Sequence, residues 1–134
     1  MVGLNKTLVF KEFTKGLATL SKCTERKVAA IITDAAHTQV YSIGINGGPR
    51  HLNDCMCDTP GKYGCVHAEI NCLIKNRYEG SDKIMFVTLA PCKQCAAAII
   101  NTKGGFKAVY YFEDWKEDEG IKLLRAAGIS VLKI

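Results

Sequence analysis

The sequence has few of the features that mark disordered, membrane-bound or secreted chains. It has only three prolines and one tryptophan in 134 residues, and no apolar run approaches the roughly 20 residues of a membrane helix. The first twenty residues carry scattered charges, such as Lys6 and Lys11, and lack the apolar core of a signal peptide. We therefore expect a cytoplasmic protein without membrane contact, folded as a single domain over residues 1–134.

The net charge and the number of cysteines limit which partners and cofactors this chain is expected to bind. The 18 basic and 13 acidic residues give a formal net charge of +5, and the arginines are not clustered. This modest excess suits a small anionic partner, whereas a nucleic-acid surface needs a broader basic region. Seven cysteines in a reducing compartment indicate metal ligands or buried thiols rather than disulfides.

Apolar periodicity predicts four helices and five strands. Helical spacing places Phe10, Phe13, Leu17 and Leu20 on one face of a first helix. The other predicted helices cover residues 67–75, 92–101 and 119–127, and the predicted strands cover 28–33, 40–46, 84–88, 108–112 and 129–134.

The connections between these elements indicate how the strands pair. A short polar connection makes the first two strands antiparallel, whereas strands joined through helices are most simply parallel. Near-continuous apolar strands are typical of a sheet that is covered on both faces. The expected fold is α/β, a three-layer αβα sandwich around a mixed five-stranded sheet with an antiparallel edge hairpin.

Two short motifs, GCVHAEINC and APCKQC, place potential metal ligands at the start of two predicted helices. Cys92 and Cys95 are three residues apart, so both lie on one helical face, where the helix dipole favours thiolates. One neutral imidazole and two thiolates balance the charge of Zn²⁺ and leave its fourth position open, as in a catalytic site. We therefore expect His67, Cys92 and Cys95 to bind zinc.

Glu69 lies two residues beyond His67, within reach of a water in that open position. Zinc lowers the pKa of a bound water toward about 7. Glu69 is therefore the expected proton carrier for this water. The order H-x-E followed by P-C-x-x-C is a known signature of zinc-dependent base deaminases. The signature implies that Glu69 takes a proton from the water, delivers it to N3 of a cytosine-type ring as C4 is attacked, and assists the departure of ammonia.

Each half of this pattern has another interpretation. A lone C-x-x-C also occurs in redox pairs and in structural zinc sites, and a lone histidine is more often an ordinary helix residue than a ligand. A redox pair would give His67 and Glu69 no role. A noncatalytic zinc module would instead close the fourth position with a protein ligand. The combination of both motifs favours the deaminase.

The chain resembles the deoxycytidylate (dCMP) deaminases over most of its length. The segments that carry the resemblance are SKCTERKVAAIIT, IGINGGP, HAEINCL, VTLAPCKQCA, AVYYFEDW and RAAGISVLKI. The resemblance implies a cytidine deaminase-like fold and hydrolytic deamination of dCMP to dUMP, with release of ammonia, in pyrimidine deoxynucleotide metabolism. Deaminases of cytidine, dCTP, guanine, riboflavin precursors or tRNA bases are alternatives on the same fold.

The resemblance also implies roles for residues around the metal. Asn46 would contact the sugar or phosphate end of the nucleotide, while the backbone N–H of Ala68 and the backbone C=O of Ala90 would contact the pyrimidine edge. Arg26 is the first candidate to bind the 5′-phosphate. Two other loop cations are weaker candidates, Lys22 and Arg50.

Partners and a second metal follow from the same resemblance. The family forms oligomers, so we expect a homo-oligomer with a hexamer favoured, and Mg²⁺ can accompany the nucleotide phosphates. Some dCMP deaminases carry a structural zinc on cysteines at positions similar to four in this chain, Cys23, Cys55, Cys57 and Cys65. Four thiolates would close a tetrahedral site, but C-x-C is an unusual zinc spacing, so four free cysteines remain the alternative.

Overall fold

The residues that the computed structural model describes, 2–52, 55, 57 and 64–134, form four helices and five strands. In chain order these are α1 (Val2–Ala18), β1 (Ala29–Thr33), β2 (Val40–Ile45), α2 (Ala68–Lys75), β3 (Ile84–Leu89), α3 (Lys93–Asn101), β4 (Ala108–Glu113), α4 (Glu119–Ala126) and β5 (Ser130–Lys133). No helix within these ranges is both long and apolar enough to cross a membrane.

The five strands form one mixed sheet in the order β2-β1-β3-β4-β5. Strand β1 pairs antiparallel with both β2 and β3, whereas β3, β4 and β5 are parallel. The parallel strands are those joined through α3 and α4, as their connections require. The predicted mixed sheet with an antiparallel edge hairpin is therefore confirmed.

Helices cover both faces of the sheet. On one face, Met85 and Val87 pack into a core with residues of α2, α3 and α4. On the other, Ile31 and Phe86 pack against α1. Neighbouring residues of a strand point to opposite faces, so a strand buried on both sides is apolar throughout. This arrangement is the predicted three-layer αβα sandwich.

The predicted apolar face of α1 is partly wrong. Leu20 lies beyond the end of the helix and is exposed, and Phe13 is 43% exposed. Thr14 is fully buried between Phe10 and Leu17, which do pack against the sheet. A buried hydroxyl is tolerated there because Thr14 Oγ1 donates a 2.7 Å hydrogen bond to the carbonyl of Phe10, one turn earlier.

Candidate active site

His67 is held at the N-terminus of α2 by contacts on both sides. Gly47 and Val66 exchange backbone hydrogen bonds of 3.2 and 2.7 Å, which join the segment before α2 to the end of β2. A Cβ atom on Gly44 of β2 would lie only 2.2 Å from the carbonyl oxygen of Ala68. Glycine therefore lets α2 pack directly on β2, which fixes where the helix begins.

Cys92 and Cys95 are set by the first turn of α3. Cys92 is the N-cap residue, and its Sγ accepts a 3.5 Å hydrogen bond from the backbone N–H of Cys95. The turn before α3 packs against α4, because a Cβ on Gly120 would lie 2.1 Å from the carbonyl oxygen of Pro91. Sequence reasoning missed Gly120, although a glycine inside a predicted helix is a signal of close packing.

The structure brings the three predicted zinc ligands together. His67 Nδ1 lies 3.1 Å from Cys95 Sγ and 3.5 Å from Cys92 Sγ, and the three ligand atoms are all within 4.8 Å of one another. Zinc bonds of about 2.0 Å to nitrogen and 2.3 Å to sulfur, at tetrahedral angles, separate such ligand atoms by about 3.6 Å. The cluster therefore has the donor atoms and spacing that zinc requires.

Glu69 is buried in the first turn of α2, beside this cluster but outside the set of converging ligand atoms. Burial raises the pKa of its carboxyl to about 7, while hydrogen bonding with Cys95 acts in the opposite direction. A carboxyl with a pKa near 7 can both accept and donate a proton at neutral pH. Burial also raises the pKa of the Cys95 thiol, so a cation is needed to hold the thiolate.

A cavity of about 190 Å³ opens above His67 and Glu69. Its lining includes all four residues that were predicted to bind substrate, Arg26, Asn46, Ala68 and Ala90. The weaker phosphate candidates, Lys22 and Arg50, are exposed and are not among the described residues that line this cleft.

One wall of the cleft carries a cation–aromatic pair. Trp115 lines the cleft, and the guanidinium carbon of Arg26 lies 4.9 Å from the centre of its ring. This distance is within the range of a favourable cation–π contact. Trp115 and Arg26 therefore form part of the cleft lining together.

The four remaining candidate ligands form a second cluster, Cys23, Cys55, Cys57 and Cys65, with their sulfur atoms all within 4.8 Å of one another. Cys23 Sγ lies 3.5 Å from Cys55 Sγ and 3.8 Å from Cys57 Sγ. Thiolates around a tetrahedral zinc are about 3.8 Å apart, so this set also has the spacing of metal ligands.

Hydrogen bonds and burial give the thiols of the second cluster different pKa values. Backbone hydrogen bonds from Cys57 and Thr24 lower the pKa of Cys55 to about 6, whereas burial raises the pKa of Cys65. Among the described residues, no other group of histidine, cysteine or acidic side chains converges in this way. Neither cluster offers the oxygen ligands that Mg²⁺ prefers.

Comparison with known proteins identifies the family. Residues 5–113 match the family model of the cytidine and deoxycytidylate deaminase zinc-binding region. The chain belongs to this deaminase family. An uncharacterized deaminase encoded in the luxG 3′ region of Aliivibrio fischeri is 36% identical over 107 residues, which cover 75% of this chain and 68% of the relative. Mouse deoxycytidylate deaminase is 31% identical over 129 residues, which cover 84% of this chain and 70% of the relative.

A solved structure of the family has the same fold. The dCMP deaminase of cyanophage S-TIM5, in complex with dCMP and dUMP, aligns with a TM-score of 0.82 and 28% identity over 96% of both chains. The family membership confirms the predicted zinc-binding deaminase domain and its cytidine deaminase-like fold. The chain spans between 59% and 70% of the length of the curated deaminases from nematode, mouse and human.

Proposed function

We propose that this deaminase hydrolyses dCMP to dUMP and ammonia, in pyrimidine deoxynucleotide metabolism. The observation that carries the proposal is the buried Glu69 beside three converging metal ligands, at the floor of a cleft whose lining includes Arg26 and Asn46. A family relative in complex with dCMP and dUMP, and a curated deoxycytidylate deaminase at 31% identity, support this choice of substrate.

In this proposal His67 Nδ1, Cys92 Sγ and Cys95 Sγ hold the catalytic zinc. Zinc bound by three protein ligands supplies an activated water at neutral pH. A noncatalytic zinc module is the weaker alternative, because a fourth described side chain does not converge with these three. Glu69 lines the same cleft as His67 and Cys92 and is outside the ligand set, so its carboxyl is available to move protons.

Glu69 carries protons between water and the base. Its carboxylate accepts one proton from water and donates it to N3 of the cytosine ring as the new C4–O bond forms. It then takes the proton of the new C4 hydroxyl and delivers it to the C4 amino group, so that the C–N bond breaks, ammonia leaves and C4 keeps a carbonyl oxygen. Because Glu69 is buried, it holds these protons apart from bulk solvent.

Two backbone groups and two side chains are proposed to bind the nucleotide. Ala68 is the first residue of α2, so its N–H has no acceptor within the helix and can bind the pyrimidine edge together with the C=O of Ala90. Asn46 would meet the sugar or phosphate end. Arg26 is the proposed 5′-phosphate ligand, since its guanidinium lies at the cleft wall against Trp115.

Ammonia release tests the substrate directly. The zinc-loaded protein is assayed with dCMP, dCTP, CMP, deoxycytidine and tRNA. We expect the highest kcat/KM for dCMP and at least a tenfold lower value for deoxycytidine, which lacks the phosphate that Arg26 binds. A higher kcat/KM for any other substrate in this panel would assign the enzyme to a different deaminase of the same fold.

We also propose that Cys23, Cys55, Cys57 and Cys65 hold a second, structural zinc, on the basis of their sulfur spacing. A hexameric assembly, a single domain over residues 1–134, a cytoplasmic location and Mg²⁺ bound with the nucleotide phosphates stay predictions. Light scattering at micromolar concentration tests the first of these, and a mass of one chain would contradict it.

A further inference from the structure

The carboxamide of Asn46 is held by three hydrogen bonds within the chain. Its Oδ1 accepts from the backbone N–H of Val28 at 2.9 Å and from Ser21 Oγ at 2.7 Å. Its Nδ2 donates to the carbonyl oxygen of Arg26 at 2.7 Å. Asn46 is buried, yet it lines the cleft above Glu69.

Whether each partner donates or accepts determines which atom of the Asn46 carboxamide is Oδ1 and which is Nδ2. The N–H of Val28 can only donate and the C=O of Arg26 can only accept, so a flipped amide would oppose donor to donor and acceptor to acceptor. Oδ1 uses both lone pairs, whereas Nδ2 keeps one N–H without a partner in these bonds. Asn46 therefore has one hydrogen-bond donor left for a ligand in the cleft that it lines, and its Oδ1 has no lone pair left to accept.

The three hydrogen bonds to the Asn46 carboxamide are called the Asn46 clamp below, and Ser21 supplies its only side-chain partner. It is buried in the connection after α1, and its Oγ accepts from the backbone N–H of Cys23 at 3.2 Å. With its oxygen facing Cys23, the hydroxyl proton is directed to the Oδ1 and the backbone carbonyl oxygen of Asn46, at 2.7 and 3.0 Å. Ser21 is not among the described residues of the cleft lining, so it can affect a ligand only through its neighbours.

We propose that Ser21 is a positioning residue, which fixes the Asn46 amide as a donor to an acceptor oxygen on the sugar or phosphate of the bound nucleotide. The proposal rests on the proposed function, since it deepens how the same cleft recognises its substrate. The atoms that Asn46 meets do not react. Loss of the clamp should therefore weaken substrate and transition state alike, raising KM with little change in kcat.

The test compares two serine-to-alanine variants in the zinc-loaded enzyme. Ser21→Ala should raise KM for dCMP by about 5- to 10-fold, the size expected for one hydrogen bond, with kcat within about twofold. Ser42→Ala is the matched control, because Ser42 is also buried, donates a 2.7 Å hydrogen bond to the Cys72 carbonyl, and lies outside the cleft lining. An equal rise in KM for both variants would reduce Ser21 to a structural role.

A double-mutant cycle asks whether Ser21 acts through Asn46. In an Asn46→Ala background, Ser21→Ala should add less than a twofold change in KM. A full further 5- to 10-fold rise would overturn the proposal. Repeating the comparison with deoxycytidine separates the two acceptors, because the effect persists for a sugar oxygen and disappears for a phosphate oxygen.

Two binding measurements test the role of Ser21 without measuring turnover, and they use two different variants in case one of them does not fold. Calorimetric binding of dUMP should weaken in Ser21→Ala and not in Ser42→Ala, whereas failure of the proposed function would appear as no deamination of dCMP by the parent. Asn46→Asp leaves Ser21 intact but removes the donor to the cleft together with the hydrogen bond to the Arg26 carbonyl, so it should bind dUMP at least tenfold more weakly than the parent. Parent-like binding by Asn46→Asp would show that the donor assignment is wrong.

Discussion

The two cysteine-containing clusters share one cleft but are built on different parts of the fold. Cys95 is fully buried in α3, and Ala68 at the start of α2 is part of the main core, so the first cluster is set by helix packing. The second cluster takes its cysteines from connections between helices and strands. Three ligands leave a coordination position for chemistry, while four close it. The two metals proposed above would therefore differ in role, with a catalytic ion in the first cluster and a structural ion that ties connections together in the second.

The largest expected effect is on the first cluster. Cys95→Ser should abolish activity, by at least about 10⁴-fold, and remove one zinc per chain, because the ion loses a thiolate ligand. Cys72→Ser is the matched control, since Cys72 is equally buried but belongs to neither cluster. Metal analysis and ammonia release decide it, and full zinc occupancy in Cys95→Ser would refute the ligand assignment.

When the metal is removed, the buried Glu69 carboxyl beside the first cluster should lower the stability of the folded protein. The folded Glu69 carboxyl has a pKa of about 7, raised by burial from 4.5. The folded state thus retains a proton that the unfolded state loses above pH 4.5, so stability falls as pH rises from 4.5 to 7 and stays lower above it. In chelator-treated protein at pH 8, Glu69→Gln should be more stable than the parent by roughly 3 kcal/mol.

Urea unfolding at pH 4.5 and pH 8 measures this difference. The gap between Glu69→Gln and the parent should grow with pH, because glutamine does not ionise. Glu117→Gln is the control, since Glu117 is exposed and its loss removes a carboxyl without relieving burial. A gap that is the same at both pH values would contradict a buried, destabilising charge at this position.

Arg26 lines the cleft, and its substitution should weaken substrate binding without changing the occupancy of either metal site. Arg26→Gln should raise KM for dCMP by about 10- to 100-fold, the size of a lost charged hydrogen bond, with deoxycytidine unaffected. Arg50→Gln is the control, because Arg50 is exposed and lies outside the cleft lining. Equal KM effects of Arg26→Gln on dCMP and deoxycytidine would exclude the phosphate role.

The smallest effect on activity is expected at the second cluster. Cys55→Ser should lower the zinc content from two ions per chain to one and leave residual activity, within about tenfold of the parent, because the catalytic ligands are untouched. The same variant should lose thermal stability. One zinc per chain in a fully active parent protein would end the idea of a structural metal.

The sequence allowed prediction of what depends on local pattern. Short apolar runs and connection lengths predicted the sheet, and the two motifs predicted the cluster of His67, Cys92 and Cys95. Contacts between distant segments could not be predicted in the same way. Periodicity could not show that Ser21 bonds Asn46, 25 residues away, or that Gly120 packs against Pro91.

Errors in the first helix have a local origin. The spacing of Leu20 fits the apolar face, but the chain leaves the helix at Ala18 before that residue is reached. A polar Thr14 takes the buried position because its hydroxyl can bond to the helix backbone. Local backbone structure, rather than residue hydrophobicity, decided both positions.

The most direct test of the account is dCMP turnover by Glu69→Gln, with zinc measured in the same sample. We expect the parent zinc content together with a loss of turnover of about 10² to 10⁴-fold, because Glu69 moves protons and does not hold the metal. Turnover near that of the parent, with zinc present, would contradict the central claim that the buried Glu69 beside the His67, Cys92 and Cys95 cluster carries the deamination.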